Sequence, residues 1–278
     1  MEAPLASDGD GVVIHRAFPN HELSELDPFL LLDHLGPVVL KPGEAKGFPD
    51  HPHRGFETVT YLLSGEFEHR DSFGHHGILR AGDVQWMTAG SGLVHSEVPG
   101  QDLVKNGGKL EGFQLWVNLP RKAKMLAPRY QEFSGGGIPV AQSSDGKVEV
   151  KVIAGSALGV KGAVETHIPI EYLHFKLQPG AVHVQEIAKG LNAMLYVIGG
   201  RLQTGGKTVA QFHLGLLGND GNDGDAAEFQ AAEVTEFLLL AAQPIHEPVA
   251  RYGPFVMNTQ DELHQAFADY KSGKMGTL

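Results

Sequence analysis

The segment Gly47-Phe-Pro-Asp-His51-Pro-His53-Arg-Gly-Phe-Glu57 carries two histidines spaced by two. In an extended chain that spacing points both imidazoles to one face. The same parity continues as Glu57, Val59, Tyr61 and Leu63, mostly apolar beyond Glu57. Arg54, Thr58 and Thr60 give the opposite parity a wetter composition, with Phe56 and Leu62 as exceptions. Two histidines thus enter what reads as the inner face of a sheet, where burying an unpartnered polar group costs roughly 2–7 kcal/mol. A metal ion would satisfy both. An isolated His-x-His at a turn can equally stand in water, so a second signal is needed. It lies in Gly90-Ser-Gly-Leu-Val-His95-Ser-Glu97, where another pair of ligand-type side chains is spaced by two behind glycines that permit a sharp bend. Brought together on neighbouring strands, His51, His53, His95 and Glu97 make a set of three imidazoles and one carboxylate. Such a nitrogen and oxygen set suits Fe(II), Mn(II), Ni(II), Cu(II) or Zn(II), and with open positions it is akin to non-haem iron sites extended by one histidine.

The chain holds 15 histidines. His69, His75 and His76 sit in HRDSFGHH, which reads as a polar, exposed loop between strands. His167, His174, His183, His213, His246 and His264 are scattered without a spaced pair and read as structural or surface residues. Near the paired histidines, Trp116 reads as aromatic core, whereas Gln114 and Trp86 are candidates to line a pocket. No cysteine occurs among the 278 residues, which excludes disulfides, thiolate nucleophiles, cysteine zinc sites and iron–sulfur clusters. Acids outnumber bases 33 to 22, a net charge of −11 that opposes direct nucleic-acid binding. The first residues carry acids where a signal peptide needs bases, and no apolar run approaches the ~20 residues of a membrane span. The expectation is a cytoplasmic protein with no membrane attachment.

The elements that must position these side chains are short strands. Glycine numbers 36, an excess that points to many tight turns in a β-rich fold. Phe56–Leu63, Val84–Met87 and Leu110–Asn118 have strand character between turn residues. Residues 120–150, with RKAK and SGGGIP, change texture and read as a connection, with a boundary near 125–140. Beyond it the pattern repeats at Tyr172–Gln178, Ala193–Ile198 and Val234–Ala242. Tyr61-Leu-Leu-Ser-Gly65 and Tyr196-Val-Ile-Gly-Gly200 echo one another, as duplicated halves would. One helix is signalled: Thr259 and Glu262 form a capping box, Leu263, Ala266, Phe267 and Tyr270 share a face, and Gly273 stops it. That helix reads as packing against a sheet and carrying no chemistry.

The stretches DPFLLLDH, GFPDHPHRGFETVTYLLSGEFEHRDSFG and GDVQWMTAGSGLVHSE closely resemble the pirin family of bicupins. The resemblance implies an all-β fold of two antiparallel, jelly-roll-type β-barrels, to which the helix above adds a short C-terminal element. It places an iron ion in an N-terminal domain, residues 1–130, with ligands at His51, His53, His95 and Glu97. Mn, Ni, Cu or Zn are admissible substitutes. Aligning Tyr196 with Tyr61 puts Glu186 and Ala188 where His51 and His53 stand, so the second domain, residues 131–278, is expected to lack the metal set. Glu57 stands where many cupins keep their carboxylate ligand, and here becomes a candidate to orient an imidazole. The activity implied is quercetin 2,3-dioxygenase, the oxidative ring-opening of a flavonol, with Glu97 both binding iron and accepting the flavonol proton. The alternative is a non-catalytic, redox-responsive iron protein that regulates transcription or metabolism through a protein partner, for which Arg121-Lys-Ala-Lys124 is the patch to test.

Overall fold

The computed structural model describes residues 1–218 and 225–278. Up to residue 135, its first unit contains β1 (Leu5–Asp8), β2 (Val12–Phe18), β3 (Phe29–Leu40), β4 (Phe48–His53), β5 (Phe56–Ser64), β6 (Glu66–Asp71), β7 (His76–Arg80), β8 (Val84–Thr88), β9 (Leu93–Pro99), β10 (Gly108–Asn118) and β11 (Arg129–Phe133), with a short helix α1 (Gln101–Asn106). Seven strands form one antiparallel sheet in the order β1-β2-β3-β10-β5-β8-β11, and four form a second, β4-β9-β6-β7. Val12, Ile14, Leu35, Leu62, Phe67, Leu79 and Leu110, drawn from both sheets, close one apolar core. Each buried aliphatic side chain contributes roughly 1.5–3 kcal/mol.

The second unit repeats this plan. Strands 148–154, 170–177, 235–242, 192–199 and 214–217 are neighbours in that order, matching β2-β3-β10-β5-β8, and 181–186, 226–231, 201–204 and 207–210 match β4-β9-β6-β7. The echo between Tyr61 and Tyr196 is thus an echo between equivalent strands. Both tyrosines are fully buried. The repeated order also refines the alignment of the halves. Phe67 pairs with Pro99 and Leu202 with Ala231, so counting back makes Ala227 the counterpart of His95 and Phe229 that of Glu97. Ala227 lies opposite Gln185, as His95 lies opposite His51. Gln185, one residue before the expected Glu186, therefore occupies the His51 position, because constant spacing from the tyrosine assumes connections of equal length.

The units are not contiguous in sequence. One comprises Leu5–Pro19, Pro28–Gly135 and Ile245–Leu278, the other Met1–Pro4, Asn20–Asp27 and Gly136–Pro244. A single cut at residue 130 misses this, because the C-terminal segment belongs to the histidine-bearing unit. That segment contains strands 250–252 and 255–257 and the helix α2 (Gln260–Lys271). The capping box forms as the sequence predicts: Thr259 Oγ1 accepts from the Glu262 amide, and the Glu262 carboxylate accepts from the Thr259 amide. Leu263 and Ala266 are buried, as expected, and so is Asp269, which the apolar pattern does not mark.

Candidate metal centre

β4 and β9 are neighbours, and their register sets His51 directly opposite His95. A bulge between Phe48 and His51 shifts the register there, the device by which strands re-aim side chains beside functional sites. Gly90 and Gly92, with φ of 51° and 113°, turn the chain into β9. A Cβ at Gly90 would stand 2.1 Å from the Leu126 carbonyl oxygen, so another residue there is excluded by space as well as by backbone conformation.

The imidazoles converge. His51 Nε2 lies 3.1 Å from His53 Nε2 and 2.9 Å from His95 Nε2. Two ligands at ~2.1 Å from one ion and at right angles to each other stand ~3.0 Å apart, so the donor set fits a transition-metal ion. His51 Nδ1–H donates to the Pro49 carbonyl at 2.7 Å, and His53 Nδ1 faces the Pro254 carbonyl at 3.4 Å. With Nδ1 the donor, Nε2 keeps the lone pair that ligation needs. Burial, and then the neighbouring His51, push the pKa values of His53 and His95 well below the ordinary value, which keeps both rings neutral, the form that binds a metal.

Glu97 projects to the same face of β9 as His95, but its carboxylate is held by other groups. Thr60 Oγ1 donates to Oε1 at 2.8 Å and Gln114 Nε2 to Oε2 at 2.9 Å, while Trp116 Nε1 donates to Gln114 Oε1 at 3.1 Å. The Trp116 ring stands edge-on to His53, with centroids 5.1 Å apart, and lies under the Arg251 guanidinium at 5.0 Å. Trp116 therefore borders the site and, as expected, also packs against core residues, Leu30, Phe56 and Val256, whereas Trp86 is fully buried.

The expected wet face of β5 is the face turned to the site. Thr58 and Thr60 are buried and share their face with Trp116 and Gln114 through cross-strand pairing. The parity that starts at His51 does not carry through, because Gly55, with φ of 88°, moves the chain from one sheet to the other. His69 is also misplaced by the sequence reading: it lies on β6, is 2% exposed, and pairs across β6 and β9 with Glu97. The signal was available, since Phe67, His69 and Asp71 alternate strictly with Glu66, Glu68 and Arg70. Lys124 is no surface cation either. It is 1% exposed, and its Nζ donates to the carbonyls of Gly55 and Val256 and to Asn118 Oδ1 at 2.8, 3.0 and 2.6 Å. Within RKAK, Lys124 and Ala123 are buried while Arg121 and Lys122 stay exposed.

Glu57 faces away from Thr60 and accepts from Thr88 Oγ1 at 2.7 Å. Burial pushes its pKa up to about 7 from 4.5. The native state then binds more protons than the unfolded chain between these values, so stability falls as pH rises through that window. The shift corresponds to about 3 kcal/mol, fully present below pH ~4.5 and lost above ~7. Thermal melts from pH 4.5 to 7.5 are expected to lose this slope in Glu57→Gln, and equal slopes in both proteins would refute it.

Comparison with known proteins fixes the family. The family model described as Pirin matches residues 11–117, and that of the Pirin C-terminal cupin domain matches residues 172–276. A pirin-like protein of Solanum lycopersicum is 46% identical over 99% of this chain and 90% of its own length. The chain belongs to the pirin family. Mouse pirin is 44% identical, with 97% of this chain and 90% of the mouse protein covered. Among solved structures, a quercetin 2,3-dioxygenase from Acinetobacter baumannii superposes with a TM-score of 0.93 at 36% identity, covering 99% of this chain and 96% of that one. The fold is accordingly the pirin bicupin, two cupin domains with a C-terminal helix. Among the described residues, no helix of this chain is long and apolar enough to cross a membrane.

Proposed function

We propose that the chain is a metal-dependent dioxygenase that opens the ring of a flavonol such as quercetin, with iron held by His51, His53, His95 and Glu97. One observation carries this reading: the ring nitrogens of His51, His53 and His95 converge within 4.8 Å of one another, with Glu97, already held by Thr60 and Gln114, on the same face of β9 as His95. The likeness to the Acinetobacter enzyme supports the substrate class. Manganese, nickel, copper and zinc would find the same donors acceptable. Bound there, iron supplies the redox chemistry between dioxygen and a chelating substrate. The protein's own part is orientation and proton transfer. Trp116 and Phe56, with ring centroids 4.5 Å apart, give the site an aromatic wall beside His53. His51, the most accessible of the three histidines, marks the side from which substrate enters. Glu97 accepts the flavonol hydroxyl proton at a carboxylate oxygen, while Thr60 and Gln114 keep the group pointed and hydrogen-bonded.

The test is oxygen uptake by iron-reconstituted protein given quercetin, with His53→Ala as control. Uptake that matches quercetin loss and vanishes in the control is the expected result. Absence of uptake from protein holding about one iron per chain would overturn the reading.

A further inference from the structure

We propose that His69, His75 and Glu132 form a second binding site for a divalent transition-metal ion such as zinc. The three residues come from separate elements of the histidine-bearing unit: β6, the turn after it, and β11. Their ligand atoms lie within 4.8 Å of one another. Glu132 Oε1 stands 2.8 Å from His69 Nε2 and 3.2 Å from His75 Nε2, close to the ~3.0–3.4 Å separating two ligands on one ion with bonds of ~2.1 Å. Two imidazoles and a carboxylate are a set that borderline divalent ions favour.

Three further observations point to an ion rather than a simple ion pair. First, His69 Nε2 is buried and, despite its closeness to Glu132, makes no directed hydrogen bond. Distance without direction is what a shared ion between the two atoms explains. Second, the space beside them depends on Gly77. A Cβ there would stand 2.4 Å from His69 Nε2 and 3.3 Å from Glu132 Oε1. Gly77 is not among the glycines with positive φ, so its lack of a side chain serves room and not backbone conformation. Third, the turn is organised in advance. Asp71 Oδ1 accepts from the amides of Phe73 and His75 at 2.9 and 2.8 Å, and the His75 ring stacks on Tyr130 with centroids 3.9 Å apart. Gln85 completes the arrangement, its amide lying 2.7 Å from both His69 Nδ1 and Glu132 Oε1. Turned over, that amide accepts from Nδ1–H through its oxygen, leaving Nε2 free for the ion, which then takes the place of the Gln85 amide at Glu132.

The site is separate from the three-histidine cluster, although His69 is the cross-strand neighbour of Glu97. The test counts metal. Full-length protein loaded with excess zinc and freed of unbound metal by gel filtration is analysed by elemental mass spectrometry. The wild type is expected to hold two zinc ions per chain, with one each in His53→Ala, His75→Ala and Glu132→Gln. Titration of zinc into Glu132→Gln should show the second affinity weakened ~100-fold or more. Gly77→Ala, which keeps all three ligand residues but crowds His69 Nε2, should lose the second ion and retain the first, and the retained ion certifies that the chain has folded. One ion in the wild type, lost in His53→Ala and kept in His75→Ala, overturns the second site and leaves the first intact. Two ions that survive both His75→Ala and Glu132→Gln overturn it as well. One ion lost in His75→Ala and kept in His53→Ala would instead refute the three-histidine reading.

Discussion

Glu97→Gln is expected to lower quercetin turnover by about 10³-fold while the chain still binds iron, the span typical of losing a positioned general base. The amide keeps the volume of the carboxylate but cannot accept the flavonol proton. It also disturbs its supports. Thr60 can still donate to the amide oxygen, but the new NH2 group meets the Gln114 NH2 at the contact now 2.9 Å long. Gln114 must then turn over, and Trp116 Nε1 loses its acceptor. Three histidines remain to hold the metal, so iron content and steady-state turnover measured on the same sample separate proton transfer from ligation. Thr60→Val removes one of the two hydrogen bonds and leaves the base in place, so its loss should be about tenfold or less. Full activity in Glu97→Gln would remove Glu97 from the proton path.

What could be read from the sequence was local. Strand periodicity of two suffices to place His51 with His53 and His95 with Glu97, since each pair lies within one strand. The capping box of α2 and the strands around Tyr61 and Tyr196 are local in the same sense. Gln114 reads from the sequence as pocket lining, but the bonds that it and Thr60 make to Glu97 are not legible there, because they act across strands: Thr60 on β5 and Gln114 on β10 meet it only once two sheets face each other. Parity misled where the chain changed sheet at Gly55, so Thr58 and Thr60 read as wet. At His69, a run of charges hid a regular alternation with Phe67 and Asp71. For Lys124 no local signal exists. Two of its three acceptors, the carbonyls of Gly55 and Val256, lie far away in the chain, and burial lowers its pKa to about 8.

Arg54 and Asp269 carry the largest expected effect on stability. Arg54 Nη1 donates to Asp269 Oδ2 at 2.9 Å and its Nε to the Ser91 carbonyl at 2.7 Å. The side chains are 6% and 11% exposed. One guanidinium thus ties α2 to the end of β4, beside His53, and to the turn that leads into β9. Asp269→Ala leaves a buried cation without its carboxylate and should cost about 4 kcal/mol, read as a fall in melting temperature. Arg54→Met should cost less, because Asp269 keeps Lys274 and Gln265 at 2.7 and 2.8 Å. Both variants should bind metal about tenfold more weakly, since the carbonyl facing His53 Nδ1 belongs to Pro254, in the segment that this pair anchors. The pH dependence separates this carboxylate from Glu57. Lys274 and then Arg54 hold the Asp269 carboxyl below its ordinary value of 3.8. A depressed folded-state value stabilises the native state above ~3.8, and that contribution fades as pH falls further. Asp269→Asn should therefore flatten the acid limb of the stability profile below pH ~4, whereas Glu57→Gln should flatten only the limb between ~4.5 and ~7. An acid limb unchanged in Asp269→Asn would show that α2 is held to β4 by its apolar face, Leu263 and Ala266, and not by this charge.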